Sequence, residues 1–285
     1  MPFPVVRNVA CPDMELESII NSGSTATVYR SSRAGEAVAV KVLKDESLKL
    51  RLAVCREMAI LEGVSHPNVV SFYSSYEVAG KINMVLELCQ GGDLCSLLYH
   101  HHIDLPNGHK IKMLLDVAQA MVALHGSSPA IMHRDLKSPN LLLTQKYSSD
   151  RTPVVKVCDF GFARAKDKNS KSWGRMTKNV GSSFWMAPEV PTGTYDEKAD
   201  VYSYAMVMFE VISQELPFEG TQSCEVASLV LQGDRPDLDA IPPDFPEEMQ
   251  ALMRESWSRD PLRRPSFPAI RDTVAEAMSA FYTQI

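Results

Sequence analysis

The chain changes its hydrophobic period once, and that change divides it. Ahead of residue 90 the apolar positions read mostly as strands. The pattern is strand-like from Glu15, alternates over Ala37-Val38-Ala39-Val40-Lys41-Val42, and predicts two further strands over 69–77 and 82–88. Side chains of a strand point alternately to its two faces, which gives a period of two. One stretch departs from this. Over 47–63, Leu50, Val54, Met58 and Leu61 form one stripe at helical spacing. Glu57 follows Val54 by three and precedes Leu61 by four, so it borders that stripe. A carboxylate there costs desolvation unless it is paired. After the paired glycines Gly91-Gly92 the period becomes helical, which predicts a boundary between two lobes. Residues 111–125 predict the central buried helix of the second lobe, and a long helix running to Ser213 opens at Asp200. Proline is dense over 236–246, a connecting loop with one short turn at most, and a last helix runs over 267–281.

Composition then removes several classes. With 285 residues the chain is long enough for one large domain or two lobes with ample core. No run reaches the length of an apolar membrane span. Met1-Pro2-Phe3-Pro4 lacks the basic flank and apolar stretch of a signal peptide, and 1–13 read as an arm ahead of the domain. A formal charge of −6 argues against a generic nucleic-acid binder. Six scattered cysteines, at 11, 55, 89, 95, 158 and 224, read as reduced thiols of a cytoplasmic protein. His100-His101-His102 with His109 does not make a zinc site. Consecutive histidines cannot all converge on one ion, and no Cys or carboxylate sits at ligand spacing. A surface loop after a short helix is the better reading.

The chemistry concentrates in His133-Arg134-Asp135-Leu136-Lys137-Ser138-Pro139-Asn140, a polar loop between two apolar runs. A second signal, Asp159-Phe160-Gly161, ends the strand-like run 154–158. Phosphoryl transfer needs a carboxylate near the attacking hydroxyl, cations for phosphate charge and oxygen ligands for Mg²⁺. With these motifs the sequence resembles a protein kinase. Lys137, two residues after the Asp, resembles the serine/threonine type. Trp185-Met186-Ala187-Pro188-Glu189 and the His-Arg-Asp-Leu-Lys-Ser-Pro-Asn run are similar to the tyrosine-kinase-like group, such as Raf and the mixed-lineage kinases. The resemblance spans roughly 15–281.

The resemblance implies an α+β, bilobal fold: a small antiparallel β-sheet lobe with one helix over 14–86, a hinge at 87–92, and a large, mainly helical lobe over 93–285. It implies ATP and Mg²⁺ as cofactors and Ser/Thr hydroxyls of protein substrates as acceptors. Asp135 would take or orient the acceptor proton, and Lys137 would stabilise the γ-phosphate. Asn140 and Asp159 would hold the metal. Lys41, in a Val-Ala-x-Lys pattern, would bind the α/β-phosphates, steadied by Glu57; Glu62 competes by sequence but lies at the helix end. Ile20, Asn21, Gly23, Ala26, Val28, Ala39, Leu86, Glu87, Cys89 and Leu142 would line the nucleotide site. Leu86 would be the gatekeeper, and backbone groups near Glu87 and Cys89 would meet the adenine edge. The glycine-rich turn of the family is depleted here: only Gly23 of three glycines is present, and Ala26 adds a methyl.

Other positions carry structural roles by the same resemblance. Leu61, Phe72, His133 and Phe160 would stack as one apolar column. Ser182 takes the place of a Thr that bonds the catalytic Asp and Lys. Asp200 would brace the catalytic loop, and Arg264 would pair with Glu189. Residues 162–180 hold six Lys/Arg against one acid, a net charge of +5. Such a block repels itself, and a phosphate at Thr177 would relieve it and pair with Arg134. Ser170 and Ser172 are lesser candidates, and an upstream activating kinase is a possible partner. A solvated loop without a switch is the plainer alternative. Two rival functions remain: a non-catalytic nucleotide-binding scaffold, resting on the depleted glycine turn alone, and a kinase that also accepts tyrosine.

Overall fold

The computed structural model describes residues 14–45, 47–100, 103–166, 183–193 and 195–283. Its first part is an antiparallel sheet of β1 (Leu16–Ser22), β2 (Ala26–Arg33), β3 (Glu36–Leu43), β4 (Phe72–Val78) and β5 (Lys81–Glu87), ordered β1-β2-β3-β5-β4. Between β3 and β4 lies α1 (Leu48–Glu62). The expected helix 47–63 is thus its body plus two caps. Ser47 accepts a hydrogen bond from the Leu50 N–H, and Gly63 donates back to Ile60. Its stripe is buried at Val54, Met58 and Leu61, and Glu57 is buried with them. Burial of each such apolar side chain contributes about 1.5–3 kcal/mol.

The expected strands shift by a few residues. The run 69–77 begins as a strand only at Phe72, because Val69 and Val70 pair instead with Val157 of the large lobe. At the hinge, Gln90 and Gly91 donate to the carbonyls of Thr144 and Leu143, and Leu143 donates to Gly92. A Cβ on Gly91 would sit 2.1 Å from the Gln145 carbonyl oxygen, and Gly92 has φ +79°. Both glycines are therefore required by close approach and by backbone handedness.

The large lobe is mainly helical. After α2 (Leu94–His100) comes α3 (Asn107–His125), one turn longer at its start than the apolar pattern indicates. Two short strand pairs follow: β6 (Ile131–Met132) pairs with β9 (Arg164–Ala165), and β7 (Leu141–Leu143) pairs with β8 (Val155–Val157). Then α4 (Lys198–Ser213) is buried along nearly all its faces, as its unbroken apolar run requires. Two helices that the sequence reading leaves unassigned, α5 (Ser223–Gln232) and α6 (Glu247–Ser256), lie on either side of the proline-rich connection. That connection holds a single 3₁₀ turn, Leu238–Ala240. The chain closes with α7 (Phe267–Thr283), packed on α3. No described helix is long and apolar enough to cross a membrane.

Candidate active site

The two strand pairs β6–β9 and β7–β8 place the polar motifs side by side. The loop between β6 and β7 carries Asp135, Lys137 and Asn140. The end of β8 carries Asp159. Cys158 donates its N–H to the Asn140 carbonyl at 3.0 Å, so the two turns meet one residue before Asp159.

Asp135 is buried, 5% exposed, and held from two sides. Lys137 Nζ donates to it at 2.8 and 3.1 Å. The Asn140 amide donates to its carboxylate at 3.0 Å and to its carbonyl at 2.8 Å. With its amide N–H₂ group turned to Asp135, Asn140 keeps its side-chain oxygen as an acceptor. One carboxylate and one amide oxygen make a hard donor set. It suits Mg²⁺, which binds few protein ligands and completes its shell with water and phosphate oxygens. Among the described residues no cluster of three His, Cys, Asp or Glu offers a closed metal cage.

Lys41 lies opposite Met84 on β3 and reaches across to α1. Its Nζ donates to both Glu57 oxygens at 2.7 and 3.0 Å and to Asp159 Oδ1 at 3.1 Å. Burial works against the ammonium, but the facing charges of Glu57 and Asp159 outweigh it and hold Lys41 well above the lysine range. Lys41 is in turn the main cause that keeps Asp159 below the usual carboxylate range. Phe160 is fully buried and meets His133 edge to face at 5.1 Å, while Leu61 and Phe72 join the same core. Asp159 itself has φ +60°, a conformation that Asp tolerates.

The residues expected to line a nucleotide lie on β1 to β3 and the turn between the first two, at and just past the end of β5, and on β7. The turn between β1 and β2 is closed by Gly23 N–H to the Ala26 carbonyl, 3.0 Å, and Ser22 pairs with Thr27. Ile20 and Asn21 are exposed at the end of β1 and Val28 is half-buried, while Ala26 is buried in the core. Ala39 stands opposite Leu86 across β3 and β5. Leu142 bridges to Asp93 just past the hinge, and Cys89 is buried, with burial pushing its thiol up to about 12. The Glu87 side chain does more than the sequence indicates: it accepts from Ser71 N–H and Oγ–H and pairs with Lys156 at 3.0 Å.

Two buried carboxylates, Asp200 and Glu210, hold the 133–140 loop. Asp200 accepts from the N–H groups of His133 (2.9 Å) and Arg134 (2.8 Å), with His125 Nε2 at 2.9 Å. Burial disfavours its charge, yet these bonds win and keep it below the ordinary range. The N-cap of α4 is Glu197, so Asp200 braces the loop from inside the first turn and does not cap the helix. Glu210, near the other end of α4, has no counterpart in the sequence reading. It is fully buried and accepts from Tyr99 Oη, Ser138 Oγ and Trp185 Nε1. Burial raises its carboxyl to about 7. The only sequence signal was one acid inside an apolar helix.

Glu189 and Arg264 form a bidentate pair at 2.7 and 2.9 Å, and the Arg264 side chain is wholly buried. Arg134 (φ +69°) lies over the Tyr195 ring, and its buried Nε has no partner among the described residues. Arg164 is depressed by burial and then by the nearby charges of Arg134 and Arg56. Thr177, Ser170, Ser172 and Ser182 lie outside the described residues.

Comparison with known proteins points one way. Residues 14–274 match the family described as protein tyrosine and serine/threonine kinase. The chain is 37% identical, over 99% of its length, to 25% of the probable serine/threonine-protein kinase kinX of Dictyostelium discoideum. It is 34% identical, over 91% of its length, to 31% of serine/threonine-protein kinase CTR1 of Arabidopsis thaliana. Mitogen-activated protein kinase kinase kinase 7 of Bos taurus is also 34% identical, over 94% of this chain and 44% of that protein. The chain thus spans between a quarter and less than half of the length of these relatives.

Proposed function

We propose a function for a chain that belongs to the protein tyrosine and serine/threonine kinase family: it transfers the γ-phosphate of ATP to Ser and Thr hydroxyls of protein substrates. The observation that carries this is the joint placement of Asp135, Lys137 and Asn140 on one loop beside Asp159, with Lys41 bonded to both Glu57 and Asp159. In this reading ATP lies between the β1–β2 turn and the hinge. Lys41 binds the α/β-phosphates, and Asn140 and Asp159 would hold Mg²⁺. The bound ion would neutralise phosphate charge as the γ-phosphoryl leaves. Asp135 orients the acceptor hydroxyl and takes its proton, and Lys137 stabilises charge on the transferred group.

The serine/threonine assignment is supported by Lys137 and by the names of the relatives; the tyrosine-kinase-like group is supported by the motifs around Trp185. Phosphorylation at Thr177, with Ser170 or Ser172 as lesser sites, is the proposed activating event. The convergence of Arg56, Arg134 and Arg164 supports it, since three like charges favour an anion among them. Either this kinase or an upstream kinase supplies that phosphate. A cytoplasmic site of action fits the unpaired described cysteines. Phosphoamino-acid analysis of a generic protein acceptor tests the acceptor class. Phosphoserine and phosphothreonine are expected; phosphotyrosine as the main product would overturn the assignment.

A further inference from the structure

Three helix ends of the large lobe surround a cavity that the site above does not use. It lies where the last turn of α3 meets the first turns of α4 and α7, and its volume is about 420 Å³. Six apolar residues make most of its wall: Val122, Ala130, Ile131, Val201, Phe267 and Pro268. The wall is held in place from several sides. Val201 and Phe267 are 1% exposed, Ile131 pairs with Ala165 across β6–β9, and Lys166 N–H donates to the Ala130 carbonyl at 2.8 Å. A preformed cavity of this size, apolar with a few polar groups, suits a small organic ligand. A larger cavity beside β4, about 570 Å³, is lined by Ser65, Ser71, Ser74 and Ser75 and is the more polar of the two.

The polar groups of the wall select the charge of that ligand. Two ammonium groups, Lys166 and Lys198, stand against one carboxylate, Glu197; His125 and Ser266 complete the polar set. Lys198 is half-buried. Its ammonium donates to the carbonyls of Arg264 and Pro265 and forms no ion pair among the described residues. An ammonium has three N–H donors, so one remains. A half-buried cation without an anion is costly, and an anionic group brought beside it offsets that cost. The cavity also borders the brace of the 133–140 loop. His125 meets Phe267 edge to face at 4.9 Å and lies 2.9 Å from Asp200, which accepts from His133 and Arg134.

We propose that this cavity binds a small apolar monocarboxylate, its carboxylate on Lys198 and its apolar body against Val122, Ala130 and Phe267. Two cations against one anion leave room for a single negative charge. The apolar wall disfavours a doubly charged, strongly hydrated anion such as inorganic phosphate. The site stands apart from the kinase reading, because none of its wall residues is assigned to nucleotide, metal or acceptor. A bound acid holds His125 against Asp200, and the two amides bonded to Asp200 are held with it.

The test titrates the full chain with octanoate, hexanoate, octanol and octylamine by isothermal titration calorimetry. Octanoate should bind saturably at one site. Each buried methylene contributes about fourfold in affinity, so hexanoate should bind roughly tenfold more weakly. Octanol and octylamine lack the anion and should also bind about tenfold more weakly, or worse. Lys198→Met should bring octanoate to the level of octanol and leave octanol unchanged. Ala130→Leu, at a half-buried wall position, should abolish octanoate binding; Val122→Phe serves if that variant does not fold. Amide exchange at His133 and Arg134 should slow at saturating octanoate. Binding that does not saturate, hexanoate, octanol or octylamine binding as tightly as octanoate, or full affinity in the folded cavity-filling variant would each overturn the site. Exchange at His133 and Arg134 that bound octanoate leaves unchanged would overturn its link to the loop.

Discussion

At the residue scale, the site is a balance of buried charges, and Glu210 gives the clearest pH signature. Its carboxyl binds a proton more tightly when folded, about 7, than when unfolded, 4.5. Stability from this group is therefore fully present below about pH 4.5 and is lost as pH rises through about 7. A shift of this size corresponds to about 3 kcal/mol. Urea melts of wild type and Glu210→Gln should show the Gln variant gaining on wild type by that amount between pH 4.5 and 8. A constant offset across that range would contradict the assignment. Glu57 and Glu210 also differ in how legible they are. Glu57 stands at the edge of an amphipathic stripe, one helix away from a lysine in an apolar strand, so desolvation alone calls for the pair. The donors to Glu210 come from residues 25, 72 and 111 positions away. No local pattern encodes that meeting; only the packing of α2, the 133–140 loop and the Trp185 segment against α4 creates it.

At the scale of elements, the Glu189–Arg264 pair joins the segment before α4 to the loop before α7. Arg264 also donates to the carbonyls of Ser258 and Lys198 and lies over the Tyr202 ring. Arg264→Ala leaves Glu189 and two carbonyls short of their donor, and should cost about 3–5 kcal/mol in chemical denaturation. A loss below 1 kcal/mol would mean that the pair is not holding the segment. Helices with a long apolar stripe, α1, α3, α4 and α7, were legible from spacing, and their ends differ from expectation by a few residues at most capped sites. The ten-residue α5 and α6 were not. Short helices beside proline-rich stretches give few periods to count, and α6 buries only Met249, Leu252, Met253 and Ser256. Val69 and Val70 read as strand because β-branched valines suit any extended pairing, and Val157 of the large lobe claims them first.

On the scale of the whole molecule, Lys41 and Glu57 come from the small lobe and Asp135, Asn140 and Asp159 from the large one, so the site exists only where the lobes meet. Ligand binding should therefore stabilise the two together. ATP with Mg²⁺ at a hundredfold excess over Kd should add about 2.7 kcal/mol. A thermal-shift series should show that gain shrinking for Asp159→Asn and Asn140→Ala when Mg²⁺ is present. Equal gains in both variants would place the metal elsewhere.

Asp135 is expected to serve transfer and not nucleotide binding. This is tested most directly by radiolabel transfer from [γ-³²P]ATP to a Ser/Thr acceptor, comparing wild type with Asp135→Asn at matched nucleotide occupancy. The account predicts transfer by wild type and a loss of roughly 10²–10⁴-fold in the variant, with nucleotide binding retained. Transfer at the same rate by both proteins, or by neither, would contradict it.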